Sequence, residues 1–332
     1  MPSLTSSVRR FNRTNIPEDV WHALRDRNNA ARANVILPHA EKVSSCQEFL
    51  PDSEQFWLVY SEPTISNIRF ILSCTEGPLG KYPLFIVPVA PVKLTPELLQ
   101  GPMEAFCEAL LNDVDFRRQR VFSVFSVEPV AKAFASAWEK IAEIKCMDEP
   151  YYDAFFLMCT PETLVRDGSQ AADEDIELRL AVPQDAGKIS TLCEEFAKTS
   201  FPFTLSSKQA SEEAGLLIEN GQVWVYEIKD GGGETDIASI VAATRQSDTV
   251  AAITKVYTPE KWQRKGRAER LVRRVCRELL KTHEQVVLYV GAKKNSAQKL
   301  YNRVGFQDLC KETPERWLEI GFDKAEVEVG HW

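Results

Sequence analysis

Apolar residues along this chain follow two alternating patterns, short continuous runs and longer periodic stretches. Residues 55–60 and 286–290 are runs rich in β-branched and aromatic side chains, which is typical of strands. Residues 268–279 instead carry apolar side chains three and four positions apart, which is typical of an amphipathic helix with one buried face. The alternation predicts an α/β fold (an α+β mixed sheet) in which a central mixed β-sheet is flanked by helices.

The two halves of the chain are predicted to hold similar elements in a similar order. In the first half we expect an irregular segment at 1–15, a helix from Pro17, strands at 55–60, 67–74 and 82–89, a helix from 95 or 96 to 112, a strand at 121–125, a helix at 130–144 and a strand at 151–158. In the second half we expect a strand at 176–181, helices after 183 and at 207–220, strands at 222–228, 237–245 and 250–256, a helix from 268, a strand at 286–290, a helix at 295–304 and final strands. The repeated order predicts two tandem domains, residues 1–160 and 176–332, joined by an acidic linker at 161–175.

Composition limits the class of protein. The 332 residues are 44% hydrophobic and 27% charged with a formal net charge of −8, which is typical of a soluble globular protein of two domains. The first residues contain no apolar leader and no stretch of eighteen apolar residues occurs, so we expect a cytoplasmic protein that does not enter a membrane. The acidic charge also makes general nucleic-acid binding unlikely. No pattern indicates an oligomeric state.

Cysteine and histidine positions give no sign of a metal site. The eight cysteines are scattered singly, without a Cys-x-x-Cys pair, and only four histidines accompany them. Metal-ligand spacing is therefore absent, and the expected state of these cysteines is a reduced thiol packed as a small apolar side chain.

One loop stands out for its chemistry. An apolar run that ends at Val256 is joined to the amphipathic helix through a loop centred on Gly266. The first N–H groups of a helix lack partners and lie at the positive end of its dipole, so they suit a phosphate. Glycine lets the backbone approach a pyrophosphate closely. Basic residues cluster in the loop and along the helix at 264, 265, 267, 270, 273, 274 and 277. The alternative is an ordinary strand-turn-helix with a solvated basic face.

Two motifs in this region resemble a known family. The sequence Gln263-Arg-Lys-Gly-Arg-Ala268, which follows Val-Tyr-Thr-Pro, resembles the Arg/Gln-x-x-Gly-x-Gly/Ala acetyl-CoA motif of the GNAT superfamily of N-acyltransferases. About thirty residues later, residues 295–306 resemble the family's second motif, a helix that ends in Leu-Tyr-x-x-x-Gly-Phe. The pair of motifs identifies residues 176–332 as similar to a GNAT domain of the kind that often occurs in tandem.

The resemblance implies an activity, a co-substrate and a set of site residues. It implies direct transfer of an acetyl group from acetyl-CoA to the amine of a small molecule or peptide, without a metal. Main-chain groups of Val256, Tyr257 and Thr258 would hold the pantetheine and polarise the thioester carbonyl. Tyr301 matches the general acid toward the sulfur, and Asn295 matches a cofactor contact displaced by one position. The pyrophosphate would lie on the main-chain amides of Gln263, Arg264, Lys265, Gly266, Arg267 and Ala268.

The sequence departs from the family pattern in three places. The family's asparagine would fall at Lys294, so Asn295 is either a cofactor contact or a helix cap. No carboxylate occurs at 250–255, which leaves water, Asp248 or Glu227 to deprotonate the amine. Residues 89–96 lack the glycine of the motif and contain prolines that remove N–H donors, so the first half is interpreted as a degenerate GNAT-like domain without a cofactor, or as an unrelated α+β domain.

Other functions stay open at this point. A catalytically silent acyl-CoA-binding or scaffolding protein would keep the loop without the chemistry. A binder of nucleic acid or of another acidic partner would use the arginine face of 264–277 directly, and its affinity would fall steeply with salt. An apolar acceptor pocket could be lined by the aromatic residues Phe201, Phe203, Trp224, Trp262 and Trp317.

Overall fold

The computed structural model describes residues 8–45, 55–62, 67–89, 94–165, 176–229, 235–309 and 314–331. Its helices are α1 (Glu18–Arg25), α2 (Ala30–Ala33), α3 (Leu37–Ser45), α4 (Pro96–Leu111), α5 (Glu128–Ala142), α6 (Ala186–Ala197), α7 (Ser207–Glu219), α8 (Arg267–Leu279) and α9 (Asn295–Val304). Its strands are β1 (Val8–Asn12), β2 (Phe56–Ser61), β3 (Ile68–Cys74), β4 (Glu76–Gly77), β5 (Gly80–Lys81), β6 (Leu84–Pro88), β7 (Ser123–Val127), β8 (Tyr152–Cys159), β9 (Ile176–Leu180), β10 (Val223–Lys229), β11 (Thr235–Ala242), β12 (Arg245–Gln246), β13 (Val250–Ile253), β14 (Lys255–Tyr257), β15 (Gln285–Gly291), β16 (Gln307–Asp308) and β17 (Arg316–Gly321).

Two compact units make up the chain. Unit 1 comprises Met1–Ala154 with Glu315–Trp332, and unit 2 comprises Phe155–Pro314. The expected linker lies partly outside the described residues, and so does the part of 89–96 at residues 90–93. The C-terminal segment, which sequence analysis places in the second domain, belongs instead to unit 1. Among the described residues, no helix is long and apolar enough to cross a membrane.

Unit 1 is built on a mixed sheet. Its strands lie in the order β1-β2-β3-β6-β7-β17, in which β6 and β7 are parallel and the other neighbours are antiparallel. The last strand, β17, pairs with β7 through the register Leu318↔Ser126. A strand's side-chain pattern shows which residues are buried but does not name its partner strand, so the sequence could not assign β17 to this unit.

Strand β1 corrects the expectation of an irregular N-terminal segment. Residues Val8–Asn12 pair antiparallel with β2, although only a few of them are apolar. An edge strand of five residues shows little hydrophobic alternation, so its pairing is decided by the free edge of β2. The core of unit 1 lies between this sheet and helices α4 and α5, and it contains the fully buried side chains Phe106, Phe134, Trp138 and Trp317.

Unit 2 contains an antiparallel sheet in the order β14-β11-β10-β9. A second set of strands, β15, β13 and β12, continues from β8, and β13 is parallel to β15. The predicted apolar stripe of α8 is confirmed, because Leu271, Val272, Val275 and Leu279 are buried in one cluster. Helix α7 begins where Ser206 caps it, with the Ser206 hydroxyl accepting from the Gln209 N–H at 3.3 Å.

Candidate functional site

The site forms where two neighbouring strands diverge. Strands β13 and β15 pair in parallel from Val250↔Gln285 to Ile253↔Leu288. After Thr254 the chain leaves β15, and β14 pairs with β11 instead, as the edge strand of its sheet. The single strand expected at 250–256 is therefore two strands in two ladders. Among the described residues, the main-chain groups on the outer edge of β14 have no ladder partner.

Side chains along β14 alternate between two faces. Val256 packs against the core cluster that contains α8. Lys255 points the other way, where it pairs with Glu213 of α7 and lies 5.1 Å from the Phe196 ring centroid of α6. Tyr257 lies on the same face as Lys255, with its ring centroid 6.3 Å from that of Phe196. The strand thus has one face toward α8 and one toward α6 and α7.

The loop after β14 presents a series of open amides. A 3-10 turn at Glu260–Trp262 leads to Arg264, whose φ is 59°, and to Gly266, whose φ is 73°. Arg270 is the first residue at the start of α8 whose N–H bonds back, to the Gly266 carbonyl at 3.1 Å. Within the described chain, no group accepts a hydrogen bond from the main-chain N–H groups of residues 264–269. Six successive donors at a helix N-terminus suit a phosphate group.

Gly266 keeps this loop open. A Cβ at this position would meet no atom within 4 Å, and a positive φ is costly for residues other than glycine. The point where a Cβ of residue 266 would lie is therefore free of described atoms, and the positive φ of this residue favours glycine.

The cations of the loop are also available to an anion. Arg264, Lys265 and Arg267 form no ion pair with any described residue, whereas Arg273 of helix α8 pairs with Glu269. Lys265 and Arg267 lie over the ring of Trp262, at 5.3 Å and 4.7 Å from its centroid. Trp262 is fixed by a hydrogen bond from its Nε1 to Asp236 Oδ2 at 3.1 Å. The indole thus holds two cations beside the open amides.

Gln263 contributes to the loop through its side chain and not, as expected, through its main-chain N–H. Its main-chain N–H already donates to the Glu260 carbonyl at 3.1 Å, so it is not one of the open amides. Its side-chain Nε2 donates instead to the Thr258 carbonyl at 2.9 Å. Ser239 fixes the same turn from β11, because its hydroxyl donates to the Tyr257 carbonyl at 3.0 Å and lies 2.8 Å from Thr258 Oγ1. These contacts set the end of β14.

The expected basic face of α8 is only partly exposed. Arg273 is 7% exposed, and its guanidinium donates to Glu269 at 2.9 Å and to the Arg303 carbonyl at 3.1 Å. Arg270 is half-buried and contacts the Tyr226 hydroxyl at 3.4 Å. Arg274 is exposed. The expectation that the basic residues lie along the exposed face of the helix is therefore wrong at Arg273, because helix α8 is packed on more than its apolar stripe.

Helix α9 carries Asn295 and Tyr301, the two residues to which the second motif gives a role in the site. Tyr301 is 8% exposed and packs edge-on against Phe306, with ring centroids 5.7 Å apart. Burial raises the pKa of the Tyr301 hydroxyl, and the nearby Cys276 thiol adds to the effect. Asn295 is the exposed first residue of the helix, and the cap position is Lys294, which makes no side-chain cap bond. The expected capping by Asn295 is therefore wrong, whereas a cofactor contact of Asn295 stays a prediction.

The other residues singled out from the sequence do not come together. Glu227 is already paired with Arg179 at 2.9 Å, and Asp248 is exposed in the turn before β13, at the opposite end of that strand from the loop. Trp317 lies in the core of unit 1, 5.1 Å from the Phe125 centroid, so it does not join an aromatic pocket in unit 2. Trp224 and Phe203 are buried, whereas Phe201 is 70% exposed.

Two residues that were not predicted from the sequence bind main-chain carbonyls at the ends of the site's strands. Ser239 braces the end of β14, and Gln298 donates to the carbonyls of Gly291 and Ala292 at the end of β15, each at 3.0 Å. Their partners are main-chain atoms brought close only by the sheet, so no spacing in the sequence indicates them. No cluster of histidine, cysteine or acidic side chains that could hold a metal occurs in the described ranges.

Comparisons with known proteins bear on the fold and on one segment of the sequence. Residues 233–318 match a family model described as FR47-like protein. A GCN5-related N-acetyltransferase from Sphaerobacter thermophilus is 15% identical, with 96% of each chain covered and a TM-score of 0.55. A Drosophila protein is 12% identical, with 95% of this chain and 99% of its own covered and a TM-score of 0.64. No curated protein matches this sequence.

These likenesses concern the fold of the whole chain and the sequence of part of unit 2. At such low identity the solved structures show a shared fold and leave the substrate open. The chain has the GNAT fold, and the FR47-like match over residues 233–318, which contains both motifs, supports its recognition as a protein of the GNAT superfamily.

Proposed function

We propose that this protein is an N-acyltransferase that moves an acetyl group from acetyl-CoA to the amine of a small molecule or peptide. The observation that carries the proposal is the series of six open amides at residues 264–269, ringed by three cations without ion pairs. A pyrophosphate is the anion that such a loop fits. The GNAT fold supports acyl transfer in general, and the donor and acceptor are the proposed part.

The residues of unit 2 have distinct tasks in this proposal. The amides of residues 264–269 bind the pyrophosphate, and Arg264, Lys265 and Arg267 add charge. The open edge of β14 at Val256 and Tyr257 binds the pantetheine and polarises the thioester carbonyl. The bound acetyl-CoA supplies an activated acyl group. Tyr301, whose raised pKa keeps its hydroxyl protonated at neutral pH, gives a proton to the departing sulfur.

The first half of the chain is proposed as a degenerate domain that does not bind the donor. The motif glycine is missing from residues 89–96, and α4 begins at Pro96, which has no N–H to offer. We also propose that residues 176–332 form the catalytic region, although the strand β17 within this range belongs to unit 1. We propose a cytoplasmic location for the protein.

Thermal unfolding with acetyl-CoA tests the proposal directly. At about a hundred times its dissociation constant, a ligand should stabilise the native state by about 2.7 kcal/mol. We expect a rise in melting temperature for the wild type and none for the variant Gly266→Asp. No rise in the wild type would sink the donor assignment. Binding without turnover of any amine in a screen would instead favour a catalytically silent acyl-CoA-binding protein.

A further inference from the structure

An acidic side chain contacts the turn that leads into the basic loop. Asp236 of β11 accepts two hydrogen bonds on its Oδ2 atom, from Lys261 Nζ at 2.7 Å and from Trp262 Nε1 at 3.1 Å. Both donors belong to the 3-10 turn before the loop. A carboxylate near a phosphate site repels the bound anion. If the loop binds phosphate, another effect of Asp236 has to outweigh that repulsion.

The Trp262 indole holds several cations. The Lys265 ammonium and the Arg267 guanidinium lie 5.3 Å and 4.7 Å from its ring centroid, and the Lys261 ammonium lies 5.5 Å away. Each distance is within the range of about 6 Å over which an aromatic ring attracts a cation. Asp236 neutralises Lys261, whereas the other two cations pair with no carboxylate among the described residues. Two positive charges therefore stay on the indole, in the loop that presents the open amides.

The Arg267 side chain keeps a donor that the protein does not use. Its Nη1 donates to the Trp262 carbonyl at 3.4 Å, so Trp262 holds the guanidinium both by its main chain and by its ring. Its Nε atom is buried and has no hydrogen-bond partner in the described part of the chain. A buried donor on a charged group is costly to leave unmet. The contacts of Arg267 thus leave its charge and one donor for an anion.

The Asp236 carboxylate is held on both oxygens. Its Oδ1 accepts from the main-chain N–H of Ile237 at 2.9 Å, in addition to the two bonds at Oδ2. Burial raises the pKa of Asp236, but the bonds from Lys261 and Trp262 lower it more, so the pKa lies below the ordinary value for an aspartate. The contact that anchors the indole therefore persists across the neutral pH range.

We propose that Asp236 is a positioning residue for the phosphates of the donor, because it fixes the Trp262 indole that holds Lys265 and Arg267 in the loop. The inference rests on the proposed binding of acetyl-CoA. Long basic side chains lose rotamer freedom when they bind an anion, and an anchored ring removes part of that freedom beforehand. This gain outweighs the repulsion from one carboxylate that is already paired with a lysine.

The test compares Asp236→Asn with Asp236→Ala. Both variants remove the same negative charge, but only asparagine keeps an oxygen that can accept from Trp262 Nε1. We expect Asp236→Asn to bind acetyl-CoA about fivefold more tightly than Asp236→Ala, which is the size of one exposed cation–π contact. Calorimetry measures both dissociation constants. Equal affinities would overturn the proposal, because the two variants differ in that hydrogen bond and not in charge.

Trp262→Phe tests the same contact from its other side. Phenylalanine keeps a ring for the cations but has no N–H for Asp236, so this variant should bind acetyl-CoA about fivefold more weakly than the wild type. In the Asp236→Ala background the same substitution should weaken binding by less than about twofold, because the bond is already absent. A fivefold loss in both backgrounds would show that the two residues act separately, against the proposal.

Glu194→Ala is the matched control. Glu194 of α6 also accepts from a lysine and from a second side chain, with Lys198 Nζ at 2.9 Å and the Ser207 hydroxyl at 3.0 Å, outside the loop. Its loss should leave the affinity for acetyl-CoA unchanged. A loss equal to the difference between the two Asp236 variants would contradict a role specific to Asp236.

Inorganic pyrophosphate separates lost phosphate contacts from a disturbance of β14. The difference between Asp236→Asn and Asp236→Ala should be the same for pyrophosphate as for acetyl-CoA, since the two cations act on the phosphates. A difference for acetyl-CoA with none for pyrophosphate would overturn the proposal. If the wild type binds pyrophosphate but not acetyl-CoA, and the two variants still differ, the proposed donor is refuted while the role of Asp236 is supported.

Discussion

The Gln263 side chain donates from Nε2 to the Thr258 carbonyl at 2.9 Å, and this contact fixes the turn between β14 and the amide loop. Gln298 does the same for β15, through the carbonyls of Gly291 and Ala292. Two glutamines therefore hold the ends of the two strands whose divergence makes the candidate site.

We expect Gln263→Glu to weaken acetyl-CoA binding about fivefold. The carboxylate cannot donate to the Thr258 carbonyl, and loss of a hydrogen bond of this kind costs about 1 kcal/mol. Isothermal calorimetry measures the affinity. Gln222→Glu is the control, because Gln222 makes the same type of contact with the Thr244 carbonyl at 3.3 Å, away from the loop. Equal losses in both variants would argue against a special role for Gln263.

Two substitutions of Gly266 should weaken donor binding to different extents. Gly266→Ala meets no neighbouring atom but must hold a positive φ, so we expect a loss of stability of about 1–2 kcal/mol and weaker donor binding. Gly266→Asp should abolish binding, because its carboxylate occupies the amides. Gly215→Ala within α7 is the control, and it should raise stability by about 1 kcal/mol. Donor affinity retained in Gly266→Asp would disprove the phosphate assignment.

Tyr301→Phe should lower kcat while leaving the dissociation constant of acetyl-CoA within a few-fold. Because the pKa of Tyr301 is raised, its hydroxyl stays protonated up to and beyond about pH 10, and kcat should show no fall from its ionisation below that pH. Tyr226→Phe, which alters another tyrosine of the same core cluster, is the control for packing. An unchanged kcat in Tyr301→Phe would remove this residue from the mechanism.

Removing one partner of the Lys255–Glu213 pair should lower the free energy of unfolding more than replacing both partners with apolar residues. We expect Lys255→Met to destabilise the protein by about 3 kcal/mol, since it leaves the Glu213 carboxylate, 19% exposed, without its cation. The double variant Lys255→Met with Glu213→Leu should recover most of that loss. Urea unfolding measures both, and additive losses would show that the two charges do not act as a pair.

Two neighbouring arginines on α8 should differ sharply. Arg273→Ala removes the donor to Glu269 Oε1 and to the Arg303 carbonyl and empties a buried position, although Glu269 Oε2 keeps its bond from Arg303, so we expect a loss of about 2–3 kcal/mol of unfolding free energy. Arg274 lies on the surface, and Arg274→Ala should change stability by less than about 0.5 kcal/mol. Equal effects in urea unfolding would contradict the burial of Arg273.

Much of the secondary structure follows from local pattern. Helix α8 and the strand β15 occur where the apolar pattern predicts them. In α8 a 3.6-residue repeat of apolar side chains forms one apolar face, and that face is buried whichever element packs against it. The motif of residues 263–268 indicated the loop and its glycine. The pattern did not show that Arg273 is buried, since a charged side chain between apolar positions is ordinarily solvated.

The sequence by itself determined the elements, the glycine on which the loop depends and the resemblance to the GNAT superfamily, because these reside in residues close together along the chain. Only the tertiary structure decided that β13 and β14 part at Thr254, that β17 joins unit 1 and that Lys255 pairs with Glu213. Each of these depends on contacts between distant segments. Main-chain hydrogen bonds and side-chain packing across such contacts leave no periodic trace in the order of residues.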